Sequence, residues 1–146
     1  VADRKRIGPK DLEIDLSEGE PQQLYRWFLV CLLFGRPIQQ EIAAEAYRHL
    51  IDEGFNSPEK FDDIEREPLR KLLDEARYAR YDYAAADQLH EVMARVVDDY
   101  SSVDQMVKGA DSSDELRKRL MALKGVGEKT AGIYVDALPE RCIGTL

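Results

Sequence analysis

The sequence predicts an all-α protein, a bundle or barrel of about six helices, and three observations carry that expectation. Apolar residues recur at helical spacing in each segment from Pro21 onward, strict alternation over the length of a strand is absent, and the run Leu24 to Phe34 is apolar on nearly every face. With 146 residues and 44% apolar content, the chain is long enough for one core that buries about two-thirds of its unfolded surface.

Residues 1–20 mix an RKR cluster with acidic residues, Gly8, Pro9 and Gly19 and show no sustained apolar period, so they read as an arm lying off the core. Residues 21–146 form the helical domain. Pro21 can open a helix, and LYRWFLVCLLF, interrupted by Arg26 alone, belongs at the centre of a bundle. Gly35 and Pro37 end it. The segment QQEIAAEAYRHLIDEG follows as a second helix, with Ile42, Ala46 and Leu50 four residues apart and Gly54 as its stop. Ser57 with Pro58 reads as a cap and first position of a short helix. Pro68 restarts the chain into a helix over 69–80, where Leu69, Leu72, Leu73 and Ala76 share a face. A long helix is expected over 83–100, with Ala86, Leu89, Met93, Val96, Val97 and Tyr100 on its apolar side. Ser112, Ser113 or Asp114 caps the next, over 113–123, and a final helix runs to near Pro139.

Composition narrows the function classes. No apolar run reaches the roughly 20 residues that span a bilayer, and VADRKRIGPK lacks the core of a secretory signal, so the chain reads as soluble and cytoplasmic. Cys31 and Cys142 have no paired metal spacing, and His49 and His90 have no histidine neighbour at i+3 or i+4; no iron-sulfur cluster and no other cofactor is expected of them. Net charge is −8, which argues against holding nucleic acid by bulk electrostatics. The charge is unevenly spread. Between Glu115 and Thr130, five bases (Arg117, Lys118, Arg119, Lys124, Lys129) face two acids (Glu115, Glu128), a basic segment on an acidic body.

That segment holds the informative pattern, LRKRLMALKGVGEKTAGIYVDAL, a helix, a tight LKGVG turn and a helix. Gly125 and Gly127 present no Cβ, so the backbone can turn sharply and approach a ligand closely. Amides at the turn and at the start of the following helix then form an anion site, aided by the helix dipole, and a DNA phosphate is the obvious candidate.

Leu-x-Gly-Val-Gly followed by Lys-Thr-Ala resembles the helix-hairpin-helix motif of the endonuclease III-like DNA glycosylases, and the resemblance runs more weakly over about residues 21–138. It implies a six-helix barrel that binds double-stranded DNA, damaged or abasic, through Lys124, Gly125, Val126, Gly127, Lys129 and Thr130. Lys129 stands at the position of that branch's Schiff-base lysine, and Arg36, in the loop after the apolar helix, at about the position of the residue that probes the space left by an everted base. The family also implies a monovalent cation, Na+ or K+, held by the backbone carbonyls of Met121, Leu123 and Val126. Two features depart from the pattern. The family's catalytic aspartate would fall at or just beyond Leu146, and its second helical domain, which completes the cleft, would need a further domain or a second chain. Asp136, two turns after Lys129 and about 10 Å along the helix, is too far to replace that aspartate directly.

Three function classes stay open on these residues. One is a base-excision glycosylase with abasic-site lyase activity. The second is a non-catalytic DNA-binding module, and the third a helical protein-interaction domain in which the turn only joins two helices.

Overall fold

A computed structural model describes residues 6–146, and among these the fold is all helical, with no strand. Seven α-helices follow in order: α1 Pro21–Phe34, α2 Gln40–Asp52, α3 Arg66–Glu75, α4 Asp82–Tyr100, α5 Val103–Lys108, α6 Ser113–Met121 and α7 Glu128–Asp136. Three short 3-10 turns, Pro9–Leu12, Pro58–Asp63 and Glu140–Cys142, complete the described secondary structure. No helix is long and apolar enough to cross a membrane.

The expected central helix is central. In α1 the side chains of Leu24, Tyr25 and every residue from Trp27 to Leu33 are buried, because the run offers no polar face to turn outward. Full burial of each large aliphatic side chain contributes about 1.5–3 kcal/mol before chain entropy is counted. The helix packs against α2, α5 and α7, while α3 and α4 pair with each other and α2 joins the two groups through α3. Gly35 ends α1, and a Cβ there would lie 3.2 Å from Thr130 Oγ1, so the end of α1 abuts the start of α7. This junction positions the candidate site.

Several expectations are corrected. The lead-in does not lie off the core: Leu12, Ile14 and Leu16 are buried and belong to the main cluster. Leu12 closes the first 3-10 turn, Glu13 turns left-handed at φ 58°, and Ile14 and Leu16 follow outside any helix, so the three keep no helical period for a sequence search to find. Residues 1–5, with the start of the RKR cluster, lie outside the described residues. The helix expected over 69–80 begins earlier, at Arg66, and ends at Glu75, because Arg77 turns left-handed at φ 68°. Ser57 occupies the cap position before Pro58 in extended backbone, but its hydroxyl makes no capping bond. Helix α5 has no counterpart in the sequence reading; Ser102 Oγ caps it by accepting from the Gln105 amide at 3.1 Å. Ser112 caps α6 in the same way through the Glu115 amide.

Candidate nucleic-acid interface

The turn between α6 and α7 is held from below. Leu123 and Val126 are buried, the Val126 amide donates to the Leu123 carbonyl at 3.2 Å, and Gly125 adopts φ 72°, a conformation that favours glycine. A second constraint acts at the same residue. Gln88, buried in α4, donates from Nε2 to the Lys124 carbonyl at 2.9 Å, and a Cβ on Gly125 would lie 2.8 Å from that nitrogen.

Gly127 is different in kind. It is exposed, its φ of −97° is open to any residue, and a Cβ would meet nothing within 4 Å. The fold therefore does not require glycine here. It is the N-cap of α7, where Ser, Thr, Asp or Asn would bond the first-turn amides, and no side chain caps them. These amides and the positive end of the helix dipole remain directed at whatever approaches the turn.

The site residues named from sequence divide into two groups. Arg36 and Lys129 line one groove of about 810 Å³ between the α1–α2 loop, the start of α2 and the exposed side of α7. Phe34, Ile38 and Ile133 give the groove an apolar wall. Its charged lining consists of Arg6, Arg36 and Lys129 against the carboxylate of Glu41, a net positive trough on an acidic protein. Neither Arg6 nor Glu41 had any marker in the sequence; only the approach of residues 6–7 to the start of α2 reveals them, where the Ile7 amide donates to Gln40 Oε1 at 2.6 Å. Lys124, Gly125, Val126 and Gly127 form the turn, and Thr130 turns its hydroxyl toward Gly35.

Most of the basic segment is engaged within the fold. Arg117 pairs with Asp136 at 2.7 Å. Arg119 donates to the carbonyls of Met106 and Gly109 and lies over the Tyr100 ring. Lys124 stands 3.8 Å from Glu91 on α4. Lys118 and Lys129 are exposed and form no ion pair among the described residues. Arg36 is held by neutral acceptors, Gln88 Oε1 at 3.2 Å and the Ala84 carbonyl at 3.4 Å, so its charge is not cancelled locally.

No family model matches this chain, and no curated protein or solved structure is significantly similar to it. Its function has to be read from the groove and the turn.

Among the described residues, no three His, Cys, Asp or Glu side chains are grouped to hold an ion. Cys31 and Cys142 are buried free thiols, and burial holds the Cys31 thiol well above its usual range. His49 bonds Glu75 at 3.1 Å, and His90 donates to the Ile64 carbonyl at 2.7 Å. Around the turn, the Leu123 carbonyl accepts from the Val126 amide, and those of Met121 and Val126 accept no backbone bond outside the helices.

Proposed function

We propose that this chain is a DNA-binding domain of the helix-hairpin-helix, endonuclease III-like kind, which docks duplex DNA on the turn 122–127 and the first turn of α7. The observation that carries the reading is the convergence of Arg36 and Lys129 on one positively lined groove beside an uncapped helix start. Backbone amides and an unpaired lysine are the groups that bind phosphate without regard to sequence. A Na+ or K+ ion on the Met121, Leu123 and Val126 carbonyls would add positive charge at the same turn.

Lys129 carries the chemical part of the proposal. Its neutral amine adds to C1′ of a ring-opened abasic sugar, forming a C–N bond as the carbonyl π bond breaks. Loss of water from that adduct leaves an imine. The target is an abasic site in duplex DNA, which presents the aldehyde without a base to evert.

The engagement of Arg117, Arg119 and Lys124 inside the fold favours a second reading, a protein-interaction module. Affinity for a duplex, measured against salt, separates the two. DNA docking releases counterions at a slope of about 0.9 per phosphate contact, so two or three contacts give a slope of roughly −2 to −3. Absence of salt-sensitive duplex binding would overturn the DNA reading.

A further inference from the structure

Gln88 joins two parts of the candidate interface that are remote in sequence. Its Oε1 accepts from Arg36 Nη2 at 3.2 Å, and its Nε2 donates to the Lys124 carbonyl at 2.9 Å. The residue is 5% exposed, and with Asp82 it is one of two buried polar or charged residues among the described residues. A buried amide is kept where both its ends are satisfied, because an unmatched donor or acceptor loses its contacts with water and regains none. Here each end is satisfied by a different half of the interface. The contact with the turn is also close, since a methyl group on Gly125 would sit 2.8 Å from Gln88 Nε2.

We infer that Gln88 is a positioning residue that couples Arg36 to the α6–α7 turn, so that phosphate docking on the turn and the placement of the Arg36 guanidinium are one event. This rests on the DNA-binding reading above. The guanidinium is anchored on α4 at two neighbouring turns, by Ala84 and by Gln88, and Gln88 alone continues to the hairpin. When a phosphate draws the Lys124–Gly127 backbone outward or inward, the Lys124 carbonyl moves the amide plane of Gln88. Because that plane is rigid, Oε1 moves with Nε2 and carries the acceptor of Arg36. The bond network thus has a mechanical link in place of a direct contact between Arg36 and the turn.

The test is a double-mutant cycle in the full chain, with Arg36→Ala, Gln88→Leu and the double variant. Affinity is read by fluorescence anisotropy on an intact duplex and on a duplex carrying a tetrahydrofuran abasic analogue, at several salt concentrations. Each single variant is expected to weaken binding to the abasic analogue about tenfold and to flatten the salt slope by about one. The double variant should be no weaker than about the worse single one, because both changes cut the same link. In the free protein, Arg36→Ala should shift the amide resonances of Gly125 and Val126, a readout that needs neither DNA nor a folded Gln88 variant. Multiplying losses in the double variant, or unmoved Gly125 and Val126 amides in Arg36→Ala, would overturn the coupling while leaving DNA binding intact. Absence of salt-sensitive binding by the wild type would instead remove the DNA-binding reading and this use of Gln88 with it.

Discussion

Trp27 and Tyr134 tie the central helix to the last one by exchanged side-chain bonds. Trp27 Nε1 donates to the Tyr134 carbonyl at 3.2 Å, and the Tyr134 hydroxyl donates to the Leu24 carbonyl at 3.0 Å. The Tyr134 ring also meets Phe28 edge-on, with centroids 5.8 Å apart. These contacts set the register of α7 on α1, and with it the meeting of Gly35 and Thr130 at the head of the groove. Tyr134→Phe keeps the ring packing and removes one buried bond, so a loss of about 1 kcal/mol is expected in urea denaturation. Tyr134→Ala also opens a cavity and should cost about 3–5 kcal/mol. An unchanged midpoint in both variants would mean that α7 is held by other contacts.

Four buried tyrosines, Tyr25, Tyr47, Tyr78 and Tyr134, make the fold sensitive to alkali. Tyr25, Tyr78 and Tyr134 each donate to a backbone carbonyl, of Phe55, Leu33 and Leu24; burial pushes these three phenols well above their ordinary range and raises that of Tyr47 as well. Below the unfolded phenol value of about 10, both states keep the proton and this stability is fully present. As pH rises past it, the unfolded chain loses protons that the folded chain retains, and stability falls. Each tyrosine contributes up to about 1.4 kcal/mol per pH unit, so the melting temperature should drop steeply above about pH 10. Tyr78→Phe should remove about a quarter of that slope. An equally steep drop with all four replaced by Phe would place the cause elsewhere.

What the sequence disclosed follows from the range over which each signal acts. The α1 run, the Gly54 stop and the Ser112 cap are local patterns, and they appear where expected. Helix α5 is six residues long, too short for a period to register, and only its Ser102 cap marks it. The lead-in is hidden from a pattern search because Leu12, Ile14 and Leu16 are set inward by a 3-10 turn and a left-handed residue, which leave no helical period. Within the candidate site, the glycine turn and Lys129 stand out in the sequence because they are neighbours along the chain. Gln88 does not, since one amide on an amphipathic helix looks like any surface residue until the fold brings Arg36 and Lys124 to its two ends. The pairing of Arg117 with Asp136 is equally invisible before α6 and α7 pack together.

The two glycines of the turn should respond in opposite ways. Gly125→Ala forces a side chain into φ 72° and against Gln88, and a stability loss of about 1–3 kcal/mol is expected. Gly127→Ser meets no neighbour and supplies a cap for α7, so it should leave the fold as stable or stabilise it by a few tenths of a kcal/mol. Its hydroxyl then occupies amides that a phosphate would use. Duplex affinity should fall several-fold as the melting temperature holds or rises, a combination that thermal denaturation and anisotropy read independently. A Gly127→Ser protein that binds DNA as well as the wild type would move the docking site away from α7.

Lys129 bears the remaining prediction. It is exposed at the second position of α7, beside an uncapped helix start, and it lines the same groove as Arg36 and Arg6. The groove leaves the Lys129 amine open to an incoming abasic sugar. Abasic duplex DNA mixed with the protein and reduced with borohydride should therefore yield a covalent adduct, because hydride delivered to the imine makes the C–N bond permanent. Lys129→Ala should abolish the adduct while lowering duplex affinity only by the share of one phosphate contact. Lys129→Arg separates the roles further, since it keeps the charge but offers a guanidinium, which never loses its proton in a protein, in place of the amine. Glu41→Gln, which removes the carboxylate from the groove lining, should strengthen binding about threefold and leave the adduct dependent on Lys129. Equal trapping by wild type and Lys129→Ala would show that another amine attacks. Binding without trapping in any protein would leave a DNA-docking module whose lysine serves charge alone.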